Sequence, residues 1–346
     1  MFPGIAIGEA LRKLGQESVF LISQKEIDRL ATERYSELRF EKLPSQAMPK
    51  PWSPQMLRFV KTSVRGFGKC HSLISEESVK AVLGMGGFTS TAPLLAAKSL
   101  GVPGVVHEAN AIPGKANLLN ARLARKVLVG WEACRPHFPA EKVEVTGTPV
   151  RPDLLNLPPV QQARMALGLA PDFFTVMVMG GSQGARGIND AIIGMVPKFS
   201  GWDVQFIHMT GPGESDRVRN GYASAGVRAH VVEFSQEMAL IYAASNFAIC
   251  RSGASSLTEM SVIGLPGLLI PYPFAADDHQ TRNAEVFTAA GACVMQHQEG
   301  LTSTELARIV GEAATNPERV RQMGEKMKSL APEHSAERIA ELLMNL

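Results

Sequence analysis

Residues 247–283 read FAICRSGASSLTEMSVIGLPGLLIPYPFAADDHQTRN, and this stretch decides the fold class. The apolar run Phe247 to Cys250 suits a strand buried on both faces, as in a parallel sheet. The small-residue turn 251–256 opens a helix that carries Glu259. Gly264-Leu265-Pro266 ends that helix, because glycine suits the C-cap and proline cannot extend a helix. A second apolar run at 268–270 is a further strand, and the polar loop Asp277-Asp278-His279-Gln280 leads into the next helix. Strand and helix in alternation predict a doubly wound α/β sheet. In such sheets ligands sit outside the carboxyl ends of the strands, and both loops leave such ends. The N–H groups at Ala254 and Ser255, where the helix starts, suit a phosphate. Glu259, one turn in, can accept both hydroxyls of a ribose. The Gln280 amide can both donate to and accept from a sugar hydroxyl. Taken singly, Glu259 reads as a solvated helix carboxylate and Gln280 as a loop residue. Gathered on one crevice, they read as a binding site.

A chain of 346 residues is long enough for two domains of ordinary size. Its 45% hydrophobic and 20% charged content is that of a soluble globular protein. A net charge of +2 makes no case for nucleic acid as a partner. Cys70, Cys134, Cys250 and Cys293 are scattered without a CxxC pair, which reads as buried thiols of a reducing compartment. No apolar run reaches the ~18 residues that span a bilayer, and no stretch reads as a secretory leader.

Upstream in the same half, residues 174–179 read as a buried strand that Gly180-Gly181-Ser182-Gln183-Gly184-Ala185-Arg186 turns into a helix. Main-chain N–H groups in such a loop, with the Ser182 hydroxyl, suit a diphosphate. The loop has neither the GK[ST] ending of a Walker loop nor a GxGxxG spacing. Further strands are expected at 204–209, 230–233 and 292–295. Phe234-Ser235 lies at a strand end, where the Ser235 backbone can pair with a nucleobase edge. Helices at 304–316, 317–330 and 335–346 close the chain.

The N-terminal half repeats this plan. An amphipathic helix follows Phe2-Pro3-Gly4, and a strand is expected at 18–22. The strand at 81–83 ends in Gly84-Met85-Gly86-Gly87-Phe88-Thr89-Ser90, a glycine turn able to present N–H groups to a diphosphate. A strand at 104–107 is followed by Glu108-Ala109-Asn110, and His107 reads as a core histidine bonded to backbone. After strands at 126–129 and 143–145, Arg151 offers a guanidinium that can hold an anionic nucleotide. The proline-rich segment 44–54 leads into residues 55–69, apolar and basic with no acid before Glu76. That is either a core-facing helix with a basic outer face or a helix lying on an anionic membrane surface.

The combination of GGSQGAR, GMGG, HEAN, PVR, RSGA…TE and DDHQ resembles the GT-B glycosyltransferases, and glycosyltransferase family 28 among them, over nearly the whole chain. The resemblance implies two doubly wound Rossmann-like domains with a cleft between them. Residues 1–152 would face a lipid-linked acceptor and the membrane. Residues 153–332 would bind UDP-GlcNAc, and 333–346 would return as a helix toward the first domain. The implied reaction is inverting transfer of GlcNAc from UDP-GlcNAc to the muramic acid 4-hydroxyl of an undecaprenyl-diphospho-muramoyl-pentapeptide. The implied place is the cytoplasmic face of the cell membrane, with an anionic membrane surface as partner. On the family's motifs, UDP-GlcNAc is held by Asn110, Arg151, Ser182, Ser235, Ala254, Ser255, Glu259 and Gln280, and the acceptor diphosphate by Gly84, Gly86 and Gly87. Phe88 stands where the family has tyrosine, Ala109 where HEQN has glutamine, and Thr148 where GNPVR has asparagine. With no DxD pair in a suitable place, no metal or other cofactor is expected.

In the family a strand and a GGTGGH loop precede FPG, and this sequence matches only from just after that loop. The expectation is a start assigned too late or a shortened piece, since a natural deletion would leave two strands with unpaired edges. The chain as written is then expected to bind UDP-GlcNAc weakly and to turn over poorly or not at all. The family's candidate general base is a histidine of that loop. Here the catalytic residue is left unassigned, with Glu108, His107 and Asp278 as substitutes. Two other readings stay open: a non-catalytic nucleotide-sugar-binding remnant, and another GT-B enzyme such as a UDP-GlcNAc 2-epimerase.

Overall fold

The computed structural model describes residues 2–22, 35, 37–44, 52–181 and 184–346; Ser182 and Gln183 of the glycine loop lie outside the described residues. The chain divides into two compact units, unit 1 comprising Met1–Arg151 with Pro332–Leu346 and unit 2 comprising Pro152–Ala331.

Unit 1 runs α1 (Phe2–Lys13), β1 (Val19–Ile22), β2 (Arg39–Lys42), α2 (Gln55–Glu76), β3 (Val82–Gly84), α3 (Thr91–Ser99), β4 (Gly104–Glu108), α4 (Lys115–Asn120), β5 (Lys126–Val129) and β6 (Val143–Val145), and adds the C-terminal helix Ser335–Met344. Strands β3-β4-β5-β6 form one parallel sheet. Strands β1 and β2 form a parallel pair of their own, and among the described residues no strand pairing joins the two sheets. Strand β2 was not legible: RFEK is short and three of its four residues are charged, without the apolar run that marks its neighbours. Successive strand residues face opposite sides of a sheet, and β4 shows it. Val105 packs with Ile7 of α1, Leu128 and Ile339 of the C-terminal helix. Val106 packs on the other side with Leu94 of α3 and Ala124.

Unit 2 runs α5 (Val160–Ala166), β7 (Phe174–Met179), α6 (Arg186–Met195), β8 (Val204–Met209), α7 (Ser215–Ser224), β9 (Ala229–Val232), α8 (Met238–Ala244), β10 (Phe247–Cys250), α9 (Ala254–Ile263), β11 (Gly267–Leu269), α10 (His279–Ala289), β12 (Cys293–Met295), α11 (Ser303–Thr315) and α12 (Pro317–Ser329). Its single sheet is parallel throughout, in the order β12-β11-β10-β7-β8-β9. The order reverses at β7: β8 and β9 lie on one side, β10 to β12 on the other. Every residue of β8 and β10 is buried, as a sheet covered on both faces requires. Gly264, at φ 78°, ends α9 in the left-handed conformation that the Gly-Leu-Pro sequence announces. All four cysteines are buried and free. Among the described residues no helix is long and apolar enough to cross a membrane.

Candidate functional site

At the strand reversal in unit 2 two loops leave neighbouring carboxyl ends, the place where ligands sit in doubly wound sheets. Met179 of β7 and Cys250 of β10 are register partners, so the glycine loop and the Arg251-Ser252-Gly253 turn start side by side. The glycine loop folds back tightly on β8. Gly184 has φ 72°, and a methyl group there would meet the Thr210 carbonyl oxygen at 2.6 Å. Ala254 and Ser255 occupy the first turn of α9, after Gly253 in extended conformation. Their N–H groups have no carbonyl four residues upstream in the helix to bond. Glu259 follows one turn later and is buried, and its Oε2 accepts the Tyr242 hydroxyl at 2.9 Å.

The second loop is tied to the first. The Ser252 hydroxyl donates to the Gln280 carbonyl at 2.8 Å, and the Asn283 amide donates to the Ser252 carbonyl at 3.1 Å. The Gln280 side chain is tied to the backbone of its own loop. Its Oε1 accepts the Tyr272 N–H at 3.0 Å, which takes one of the oxygen's two lone pairs and fixes which way the amide turns. Arg251 fastens the whole corner from below. Its Nη1 donates to the Ile270 and Pro271 carbonyls at 3.1 and 2.9 Å, and its Nη2 to Gln298 Oε1. The same guanidinium lies 5.4 Å from the centre of the Tyr272 ring. A methyl group added at Gly187, in the first turn of α6, would lie 3.3 Å from the Gln298 amide nitrogen. Gln298 therefore sits between the glycine-loop helix and Arg251, which in turn holds the backbone at 270–271 ahead of α10 and Gln280. Asp278 has φ 53° and accepts the Thr281 hydroxyl at 2.7 Å. Ser235 accepts the Glu237 N–H at 3.0 Å through its hydroxyl, beside the exposed Phe234.

Unit 1 carries its own cluster at the end of β4. Glu108 is buried, and its carboxylate accepts four hydrogen bonds. Oε1 takes the Asn110 N–H at 2.9 Å and the Asn110 side-chain amide at 2.8 Å; Oε2 takes the Gly114 N–H at 3.1 Å and the Asn117 amide at 2.8 Å. Four donors fill the roughly four lone-pair directions of a carboxylate. Glu108 thus holds the Asn110–Gly114 loop, a different task from the proton acceptance considered for it from sequence. His107 is buried, with Nε2 3.0 Å from the Gly147 carbonyl oxygen. A carbonyl only accepts, so Nε2 carries the hydrogen. Burial lowers its pKa below the ordinary imidazole value. The turn after β3 places Gly86 and Gly87 at φ 101° and 73°. It is braced by the Ser90 hydroxyl, which donates to the Gly86 carbonyl at 2.9 Å. Arg151 stacks its guanidinium 4.2 Å over the Phe2 ring.

Known proteins resemble this arrangement throughout. Residues 1–129 match the model of the glycosyltransferase family 28 N-terminal domain, and residues 175–342 that of the family 28 C-terminal domain. The chain belongs to glycosyltransferase family 28. The UDP-N-acetylglucosamine--N-acetylmuramyl-(pentapeptide) pyrophosphoryl-undecaprenol N-acetylglucosamine transferase of Myxococcus xanthus is 32% identical, over 100% of this chain and 90% of that protein. The enzyme of the same name from Syntrophotalea carbinolica is 33% identical, over 100% of this chain and 95% of that protein. Among solved structures, Acinetobacter baumannii MurG superposes with a TM-score of 0.77 at 23% identity, covering 100% of this chain and 96% of that one. The UDP-GlcNAc 2-epimerase of Neisseria meningitidis gives 0.71 at 16% identity, with the same coverage. These two likenesses establish the GT-B fold of the family 28 chain. The family makes it a glycosyltransferase.

Sequence reading missed the residues that act at long range. Tyr242 sits in the apolar run MALIYAA, which reads as core. Arg251 reads as part of a small-residue turn, and its partner Gln298 lies 47 residues away. Asn117 gives no local sign that it will reach back to Glu108.

Proposed function

We propose that this family 28 glycosyltransferase moves GlcNAc from UDP-GlcNAc to the muramic acid 4-hydroxyl of undecaprenyl-diphospho-muramoyl-pentapeptide, with inversion at the anomeric carbon. The observation that carries the reading is that enzymes named for this transfer match the chain from end to end at 32% identity. The site chemistry fits the donor. The N–H groups at Ala254 and Ser255, with the glycine loop that includes Ser182, suit the pyrophosphate, and their fixed dipoles would stabilise the charge that develops on the departing UDP. Glu259 accepts the ribose hydroxyls and the Gln280 amide donates to the sugar. The Ser235 backbone lies at the strand end where uracil would pair. In unit 1, Asn110 and Arg151 are further donor contacts, and the Gly84, Gly86 and Gly87 turn takes the acceptor diphosphate.

A lipid-linked acceptor, with a nucleotide-sugar donor, calls for a peripheral enzyme on the cytoplasmic face of the membrane. Helix α2 supports this. Trp52 just before it is fully exposed, and Leu57, Val60 and Val64 are exposed among Arg58, Lys61 and Arg65. A face of that composition suits an anionic lipid surface.

The test is incubation of labelled UDP-GlcNAc with the lipid-linked muramyl-peptide and the protein. Label is expected in the lipid fraction as β-linked GlcNAc. Epimerised or hydrolysed nucleotide sugar with an unlabelled lipid would overturn the reading. Sedimentation with phosphatidylglycerol vesicles tests the membrane half: the wild type is expected in the pellet, and the double variant Leu57→Glu, Val64→Glu in the supernatant.

A further inference from the structure

The contact between Tyr242 and Glu259 joins two side chains that are 1% and 6% exposed, from different helices, through one O–H···O bond of 2.9 Å. A glutamate has three side-chain torsions, and a carboxylate recognises a pair of neighbouring hydroxyls only when its plane faces both. The phenol on Oε2 fixes that plane: the hydrogen bond is charge-assisted and directional. The tyrosine ring itself is fixed in the core, because Tyr242 is among the largest fully buried side chains of unit 2. An apolar side chain would fill the same volume; what the hydroxyl adds is direction.

We infer that Tyr242 is a positioning residue that presents Glu259 to the 2′,3′-diol of the bound nucleotide, and so makes the site select ribonucleotides over 2′-deoxyribonucleotides. This rests on the reading of unit 2 as the UDP-GlcNAc site and adds to it the origin of sugar discrimination. Tyr242 touches no substrate; it acts through Glu259.

The full chain and its Tyr242→Phe variant are titrated with UDP and with 2′-deoxy-UDP, and unfolding is followed without ligand. The wild type is expected to prefer UDP by ~10-fold or more, the effect of one hydrogen bond to a charged group. In Tyr242→Phe the preference is expected to shrink to about twofold through loss of UDP affinity, with 2′-deoxy-UDP bound nearly as before; a hydrogen bond lost from the diol should weaken UDP alone. Equal weakening of both nucleotides would show a merely structural role and overturn the inference, as would an unchanged preference. A wild type that binds UDP without preferring it to 2′-deoxy-UDP would overturn this inference and leave the donor site standing. A wild type that binds neither would sink the donor reading as well. A crystal structure of the wild type with UDP decides the matter even if Tyr242→Phe does not fold. Tyr242 on Glu259 and Glu259 on the ribose hydroxyls support the inference, and loss of either contact overturns it.

Discussion

Among the described residues each unit buries one glutamate beside a strand-end turn, and the two are held in opposite ways. Glu108 in unit 1 is wrapped by four amide donors, all from the nine residues that follow it. Glu259 in unit 2 is gripped from another helix by the phenol of Tyr242. A carboxylate surrounded by its own loop stabilises that loop. A carboxylate braced from behind is aimed. On the proposed donor site the same residue type serves architecture in one unit and recognition in the other, and burial alone does not tell them apart; the identity of the donors does.

The largest expected effect breaks the comparison on the recognition side. Replacing Glu259 by alanine removes the acceptor proposed for two ribose hydroxyls. At ~1.5–3 kcal/mol for each hydrogen bond to a charged group, Kd for UDP-GlcNAc should rise ~10²-fold or more. Calorimetric titration measures it, and a rise below fivefold would place the ribose elsewhere. The architectural side is tested by Glu108→Gln. This variant keeps the shape but turns an NH2 group toward a ring of donors, leaving at least one buried donor unpaired. Unit 1 should lose ~2–3 kcal/mol, visible as unfolding at lower urea concentration and faster proteolysis within residues 104–117. A variant as stable as the wild type would mean that the four hydrogen bonds contribute nothing net.

The same contrast explains what could be read in advance. Elements whose cause is local were legible. Phe247–Cys250 is apolar throughout, Gly264-Leu265-Pro266 stops a helix in three letters, and GGSQGAR can be little else than a strand-to-helix turn. Residues whose role depends on a distant partner were not legible. Gln280 showed its amide but not that the Tyr272 N–H would bond to its oxygen. Glu108 showed a carboxylate but not Asn117 closing over it. Tyr242 showed only one more apolar position in α8.

A third prediction sets buried histidines against acid, one in each unit. His208 of β8 is fully buried between Tyr222 at 3.1 Å and Asn189 at 3.1 Å. Burial pulls its pKa down to about 3, and His107 is lowered for the same reason. A depressed histidine is neutral in the fold, whereas the unfolded chain takes up its proton near pH ~6.5. Stability is therefore whole above that pH and declines as pH falls toward the folded pKa, by ~1.4 kcal/mol per pH unit for each such group. For His208 that is about 2 kcal/mol between pH 6.5 and 5. Urea unfolding at pH 7.5 and 5 measures it. His208→Gln should flatten the decline, leaving the share that belongs to His107. An unchanged slope in His208→Gln would show that His208 is protonated in the fold.

The smallest effect concerns how the aimed glutamate's surroundings are kept in place. Arg251 holds the Ile270 and Pro271 carbonyls and is itself held by Gln298, which also lies against Gly187 of α6. Gln298→Ala removes one of the guanidinium's three anchors and leaves the two backbone ones, so the segment that leads into α10 and Gln280 should loosen without coming apart. A hydrogen bond to a charged group is worth ~1.5–3 kcal/mol, and with two anchors left on the guanidinium only a part of that reaches the ligand. UDP-GlcNAc affinity should therefore fall two- to fivefold by titration, with affinity for UDP alone nearly unchanged, because in the proposed donor site Gln280 meets the sugar. Gln298→Glu keeps an oxygen on Arg251 and should restore most of the loss. Equal loss for UDP and UDP-GlcNAc would show that the strap serves the glycine loop through Gly187 rather than the sugar loop through Arg251. That would make the glycine-loop helix, rather than Arg251, the point at which this corner of unit 2 is set.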